Sequence, residues 1–361
     1  MSNKLGTKLA TISAAGALLF LIFANGLVCF SDICRESKNI DGWTSWWLAK
    51  AYFTEKSPPD IVVLGNSQLG ALLGADAYVY DRKVDITGNH RSYVLEYDFK
   101  QLLNKTWKVF VAAVPGAMIS DQLVISRALF KNNYQPRLVA ITICPRDFID
   151  KCFPSVNSTE SSLFFSDYGE IGSLSGNLGQ ILQRKYKIRS AYNTDIDQEN
   201  PLLLSNPFEK LYPGKIVIRS GEGYFFEDNT NEYRLRYSNP FSQQFYTQLS
   251  SFDSLLKYLA QQHIKVVVFG LPLTSINRQI LPKKFWQLYS ENIITTCKKY
   301  DADWIDIDND FKAFSDSQFL DGVHLNLPGG ERLASTIALF AANKFHWRTF
   351  AQLRNDEKKM F

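Results

Sequence analysis

Three residues in this chain have the types and the order needed for serine acyl chemistry. Ser67 lies in Gly65-Asn66-Ser67-Gln68, just after the apolar run Asp60-Ile-Val-Val-Leu64. Asp321 and His324 lie close together near the C-terminus, in Asp321-Gly-Val-His324. The run before Ser67 reads as a buried strand, and Gln68 to Tyr80 reads as a helix. A serine on the turn between them presents its hydroxyl at the end of a sheet, beside the positive end of the helix. An imidazole can take the proton of such a serine, and a carboxylate can hold the imidazole in the tautomer that accepts it. Ser67 is therefore the candidate nucleophile, His324 the candidate base and Asp321 the group that orients it. Gly322 is expected to permit the tight turn that brings Asp321 and His324 together.

These residues must be held by a larger frame, and the hydrophobic pattern outlines one. Lys108 to Val114 reads as a strand, followed by Pro115-Gly116 and a helix from about Ser120 to Lys131. Leu138 to Cys144 is a further strand, entered after Pro136. Phe245 to Gln262 reads as helix, Ile264 to Leu271 as strand, Lys283 to Lys299 as helix and Asp303 to Ile307 as a short strand. Pro328 to Asn343 closes the pattern as a helix with proline in its first turn. Strands and helices that alternate at these lengths predict an α/β fold, a parallel sheet with helices on both faces. Ligands of such sheets bind beyond the carboxyl ends of the strands. Ser67, Pro115-Gly116 and Pro145-Arg146-Asp147 all fall there.

Two stretches interrupt the alternation. Residues 152 to 242 lack a clear period and are rich in Ser, Asn, Gly and aromatic residues, which reads as an inserted cap or small subdomain. Residues 81 to 106 read as a shorter insertion. The main domain is placed at residues 60–347, with a polar tail over 348–361.

The N-terminus has a different character. Leu9 to Phe30 is a run of 22 residues without a charge. As a helix it would be about 33 Å long, enough to cross a bilayer. Lys4 and Lys8 precede it, and the flank after it is mixed in sign, so the positive-inside rule places residues 1–8 in the cytoplasm and the main domain outside it. A cleaved signal peptide competes with this reading, because Ala24-Asn25-Gly26 resembles a cleavage site. The apolar run continues past it through Phe30, which favours an uncleaved single-pass anchor over 9–30. Residues 31–59 form a membrane-proximal segment, aromatic-rich from Asp41 to Pro59 and expected to be helical near the membrane surface.

Composition narrows the remaining classes. Apolar residues make up 45% of the 361, enough for a sizeable core. A formal net charge of +4, spread along the chain, gives no argument for nucleic acid. The five cysteines and four histidines show no metal-site spacing, and no cofactor is implied. Asp306, Asp308 and Asp310 read as a strand end followed by a helix cap rather than a metal site. Cys144 and Cys152 could pair in an oxidising compartment, or Cys144 could be a buried free thiol. His90, His263 and His346 read as surface or packing residues.

Taken together, the blocks resemble those of the SGNH (GDSL-type) hydrolase superfamily. Gly65-Asn66-Ser67 stands where that family has Gly-Asp-Ser, and Asp321-Gly-Val-His324 matches its Asp-x-x-His. The resemblance implies a flavodoxin-like three-layer fold and an oxyanion hole from the backbone N–H groups of Ser67 and Gly116, the latter in Ala113-Val-Pro-Gly116. The family's third block supplies an asparagine as a further donor. Here that strand ends Ile143-Cys-Pro-Arg146-Asp147, so Arg146 stands in the donor's place. An arginine there could stabilise an oxyanion or bind a substrate anion; it could instead be an ion pair with Asp147 bracing the strand end. The resemblance covers residues 60–147 and 264–343.

With the anchor, the chain is similar to exported members of that superfamily that add or remove acyl groups on cell-surface polymers. The expected activity is that of an extracytoplasmic serine esterase or O-acyltransferase acting on acyl esters, with a cell-surface polysaccharide as a candidate substrate. The competing expectation is a non-catalytic scaffold that binds a polysaccharide or a membrane partner in envelope assembly.

Overall fold

The computed structural model of this chain describes residues 44–55, 57–85, 88–131, 134–152, 159–165, 217–218, 226–307 and 314–346. The expected cytoplasmic tail, the 9–30 segment, residues 31–43, most of the 152–242 region and the 348–361 tail lie outside the described residues. Among the described residues no helix is long and apolar enough to cross a membrane.

The described elements begin with α1 (Thr44–Thr54), then β1 (Ile61–Gly65), α2 (Gly70–Val79) and α3 (Tyr93–Leu103). It continues through β2 (Val109–Ala113), α4 (Ile119–Leu129), β3 (Leu138–Ile143), α5 (Gln243–Gln261), β4 (Lys265–Gly270), α6 (Lys283–Lys299), β5 (Asp303–Asp306) and α7 (Leu327–His346). The five strands form one parallel sheet in the order β2-β1-β3-β4-β5. This is one of the two common doubly wound orders. Every residue of β1 and β3 is buried, as expected of central parallel strands covered on both faces. That double burial is why both read as continuous apolar runs.

Helices α2, α3 and α7 pack together, and α5 packs with α4 and α6. Residues 81–106 are not simply an insertion, because α3 belongs to the packed layer. Its N-cap Ser92 accepts from the Leu95 N–H at 3.3 Å. Its Val94, Leu95 and Phe99 are buried, and each contributes roughly 1.5–3 kcal/mol of apolar burial. Val94, Leu95, Phe99, Leu102 and Leu103 recur at helical spacing and all pack on the core, so the period of this helix is present in the sequence. A two-residue antiparallel ribbon, Val84–Asp85 with Val217–Ile218, lies apart from the main sheet.

Helix α1 also packs on the domain. Tyr52 is fully buried, with its ring 5.1 Å from Phe110 and 6.0 Å from Phe130. Its hydroxyl donates to the Tyr134 carbonyl at 3.0 Å. The 44–54 part of the aromatic-rich segment is therefore helical, and at Tyr52 it faces protein.

Candidate active site

Strand β1 runs into Asn66 and then a single 3-10 turn, Ser67–Leu69, which leads into α2. Asn66 is buried and extended, and its Oδ1 accepts from the Gln68 N–H at 2.8 Å. This satisfies one of the donors that a helical turn leaves free at its start. Asn66 Nδ2 donates to Asp147 Oδ1 at 2.5 Å, and Asp147 Oδ2 accepts from the Cys144 N–H at 2.9 Å. The turn that bears Ser67 is thus tied to the carboxyl end of the neighbouring β3. Burial pushes the Asp147 carboxyl up to about 6, against the pull of Arg146 and of its hydrogen bonds from Cys144 and Asn66.

The second half of the site is a compact turn before α7. The Leu320 N–H donates to the His324 carbonyl at 2.7 Å, and Phe319 and Leu325 form an antiparallel bridge. Inside the turn, Asp321 Oδ1 accepts the N–H groups of Val323 and His324, both at 2.8 Å. A short acidic side chain is suited to closing such a turn on its own backbone. Burial raises the Asp321 carboxyl, but hydrogen bonds from the His324 ring and from those two backbone N–H groups outweigh it, and the group lies below its ordinary value. Gly322 has no left-handed backbone, since Gly116 is the only glycine with positive φ among the described residues. What it supplies is space, because a Cβ there would stand 2.8 Å from Asn229 Oδ1 and 3.0 Å from Asn277 Nδ2.

The two halves meet. Ser67 Oγ lies 2.9 Å from His324 Nε2, and His324 Nδ1 lies 2.7 Å from Asp321 Oδ2. With Nδ1 donating to the carboxylate, Nε2 is left to accept the serine proton. Gln68 adds a second link, its Nε2 donating to the Val323 carbonyl at 2.9 Å. Gln68 stands inside the quoted Gly-Asn-Ser-Gln, but sequence gives no sign of its partner.

Gly116 follows β2, the strand beside β1, with φ 76°. A left-handed residue suits glycine, so the turn alone accounts for its identity. Among the described residues, neither the Ser67 nor the Gly116 N–H donates to a protein acceptor. Both are partly exposed, and both stand at the carboxyl ends of adjacent strands.

Arg146 takes a different direction. It is buried, with Nε 3.0 Å from Asp150 Oδ2 and one Nη 3.5 Å from Asp147 Oδ1. The same Nη donates to the Ala117 carbonyl at 3.2 Å. Burial disfavours its charge, but Asp147 and Asp150 more than compensate, and its pKa is raised. Asp150 in turn pairs with Arg236. These contacts match the bracing alternative for Arg146.

The other singled-out residues stand apart from this constellation. Cys144 and Cys152 are unbridged, the first buried and the second exposed; burial pushes the Cys144 thiol up. His90 is buried, stacks on Phe110 at 5.3 Å and shares a hydrogen bond with the Val111 carbonyl. His263 is a left-handed residue just after α5, with φ 56°. His346 is the last residue of α7. Asp306 ends β5, while Asp308 and Asp310 lie outside the described residues. Among the described residues no group of three or more His, Cys, Asp or Glu is placed to hold a metal ion.

The fold is thus a doubly wound α/β sheet, and the site is a hydrogen-bonded serine–imidazole–carboxylate series at the end of its first strand. No protein-family model matches the chain. No curated protein matches it. Among solved structures it is similar to a proposed acylhydrolase from Bacteroides fragilis NCTC 9343, at 14% identity, 82% coverage of this chain, 94% of the other and a TM-score of 0.38. It is also similar to an alpha/beta hydrolase enzyme from the metagenome of Lake Arreo, Spain, at 12% identity, 80% and 96% coverage and a TM-score of 0.37. Likeness at this level carries no argument for function.

Proposed function

We propose that this protein is a serine esterase or O-acyltransferase of the SGNH type. It acts on acyl esters outside the cytoplasm, is held to the membrane by residues 9–30, and has an acylated cell-surface glycan as its candidate substrate. The observation that carries the chemistry is the series Ser67 Oγ, His324 Nε2 and Nδ1, Asp321 Oδ2, closed at 2.9 and 2.7 Å. The strand order supports the reading, since it is the flavodoxin-like one that the resemblance implies.

In the proposed reaction Ser67 Oγ attacks the acyl carbon while His324 takes its proton. The carbonyl oxygen becomes an oxyanion, held by the N–H groups of Ser67 and Gly116. The ester C–O bond then breaks, and His324 returns the proton to the leaving alcohol. Water or a sugar hydroxyl attacks the acyl-enzyme by the same route in reverse, giving hydrolysis or transfer respectively.

A fluorophosphonate probe tests this directly. It should label the wild type, and Ser67→Ala should abolish labelling in a protein that remains folded. A non-catalytic scaffold is the second reading. It is favoured by Arg146, which stands where a third oxyanion donor is expected and is committed instead to carboxylates. Absence of labelling in a folded wild type would decide for the scaffold.

A further inference from the structure

Three chain segments hold the Asp321–His324 turn from outside. The Gly322 N–H donates to Asn229 Oδ1 at 2.9 Å. The Gly322 carbonyl accepts from Thr274 Oγ1 at 3.1 Å and from the Thr274 N–H at 3.2 Å. On either side, the Glu227 N–H donates to the Leu320 carbonyl at 2.7 Å, and Gln68 Nε2 to the Val323 carbonyl at 2.9 Å.

Peptide groups are planar. The Leu320 carbonyl, held by Glu227, belongs to the plane before Asp321, and the Gly322 N–H, held by Asn229, belongs to the plane after it. Restraining both planes restrains the direction in which the Asp321 side chain leaves the backbone. Thr274 restrains the plane after Gly322. Asn229 thus acts on the orientation of Asp321, whose Oδ2 lies 2.7 Å from His324 Nδ1.

Thr274 has a structural duty as well, since its Oγ1 accepts the Asn277 N–H and caps the helix Ser275–Ile280. Gln68 belongs to the nucleophile turn. Asn229 has no comparable duty: it precedes the helix Thr230–Arg236, yet its side chain does not cap it. Beside it, Asn277 is fully buried. A Cβ at position 322 would crowd both the Asn229 and the Asn277 side-chain amides. The segment that carries Asn229 is itself secured, because Arg236 pairs with Asp150 and the Lys151 N–H donates to the Arg236 carbonyl at 3.2 Å.

We infer that Asn229 is a positioning residue for the Asp321–His324 pair, so that residues 226–237 are a working part of the active site and not a detachable cover. This rests on the Ser67–His324–Asp321 reading.

The test compares Asn229→Ala with Asn229→Asp, which keeps an acceptor oxygen at the same reach. Two quantities are measured well below the melting temperature: the rate of fluorophosphonate labelling, and kcat and KM for a p-nitrophenyl acetate ester. Asn229→Ala should label roughly ten- to a hundredfold more slowly, with kcat falling and KM unchanged, as expected when a reacting group is misplaced and binding is not. Asn229→Asp should recover most of that rate. If Asn229→Ala does not fold, Asn229→Ser shortens the same side chain and should show the same slowing. Wild-type labelling and kcat in folded Asn229→Ala or Asn229→Ser overturn the inference and leave the triad intact. A wild type that is never labelled, or labelling that survives Ser67→Ala, removes the triad and the inference with it.

Discussion

Gly330 in α7 lies against the backbone of Ala71 in α2, so closely that a Cβ on Gly330 would stand 2.0 Å from the Ala71 carbonyl oxygen. The two helices start just after Ser67 and just after His324. Their near-contact sets the distance between nucleophile and base from behind, while the hydrogen bond between Ser67 and His324 closes it in front.

Gly330→Ala should therefore damage both stability and chemistry. The added methyl meets backbone and not a flexible side-chain end, so the cost should reach the upper part of the overpacking range, about 3 kcal/mol. Denaturant unfolding measures that loss. Fluorophosphonate labelling of the folded fraction should slow as well, because separating α2 from α7 lengthens the Ser67–His324 contact. Unaltered stability would show that the helices part without penalty.

Arg146→Ala should be strongly destabilising. It leaves Asp147 and Asp150 buried beside a lost cation, and breaking a buried pair in this way costs about 3–5 kcal/mol. Labelling of whatever remains folded should proceed near the wild-type rate. The reverse pattern, normal stability with turnover reduced on the order of a hundredfold, would return Arg146 to the oxyanion hole.

Asp98 in α3 should be a source of pH-dependent instability. Burial raises its carboxyl to about 6, with Ser335 pulling down and Glu331 pushing up. Its folded pKa lies above the unfolded value of about 3.9. The proton it binds in the folded state thus contributes stability below about pH 4, and that contribution is lost as pH rises through about 6. At pH 7 the charged form is a net burden. Asp98→Asn keeps an acceptor for the Ser335 hydroxyl, which donates to Asp98 at 2.8 Å. The variant should be more stable than wild type at pH 7 by on the order of 1 kcal/mol, with the difference vanishing near pH 4. A difference that is the same at both pH values would mean the carboxyl is not perturbed.

The N-terminal proposal has its own measurement. A C-terminal reporter active only in the cytoplasm should give no signal when fused to the full chain, and the mature protein should begin before Leu9. A bright reporter contradicts the topology; a mature N-terminus near Leu27 contradicts the anchor.

How much of this was legible in the sequence depended on the range of the interaction involved. β1, β3 and β4 are visible because central parallel strands are apolar at nearly every position. Ser67, Asp321 and His324 are visible because each stands in a local block with a recognisable spacing. α3 carries a helical stripe in Val94, Leu95, Phe99, Leu102 and Leu103, but the mostly polar stretch from Asp81 to Ser92 before it makes the region read as an insertion. Arg146 could be placed at a strand end, yet its direction is set by Asp150 and by the Ala117 carbonyl, which no local pattern announces. Asn229 and Gln68 are amides whose partners lie 93 and 255 residues away. An amide looks the same in sequence whether it faces water or a backbone N–H or carbonyl, so only the folded chain assigns them a task.

The burial of Tyr52 has a consequence for reach. Because α1 is stitched to the domain, only residues 31–43 separate the proposed bilayer segment ending at Phe30 from the first packed helix. Fully extended, those residues span about 45 Å. If the proposed anchor over residues 9–30 holds, that chain length is an upper bound on the distance from bilayer to α1, and the proposed enzyme could serve only acyl esters presented near the membrane, however abundant they are farther out.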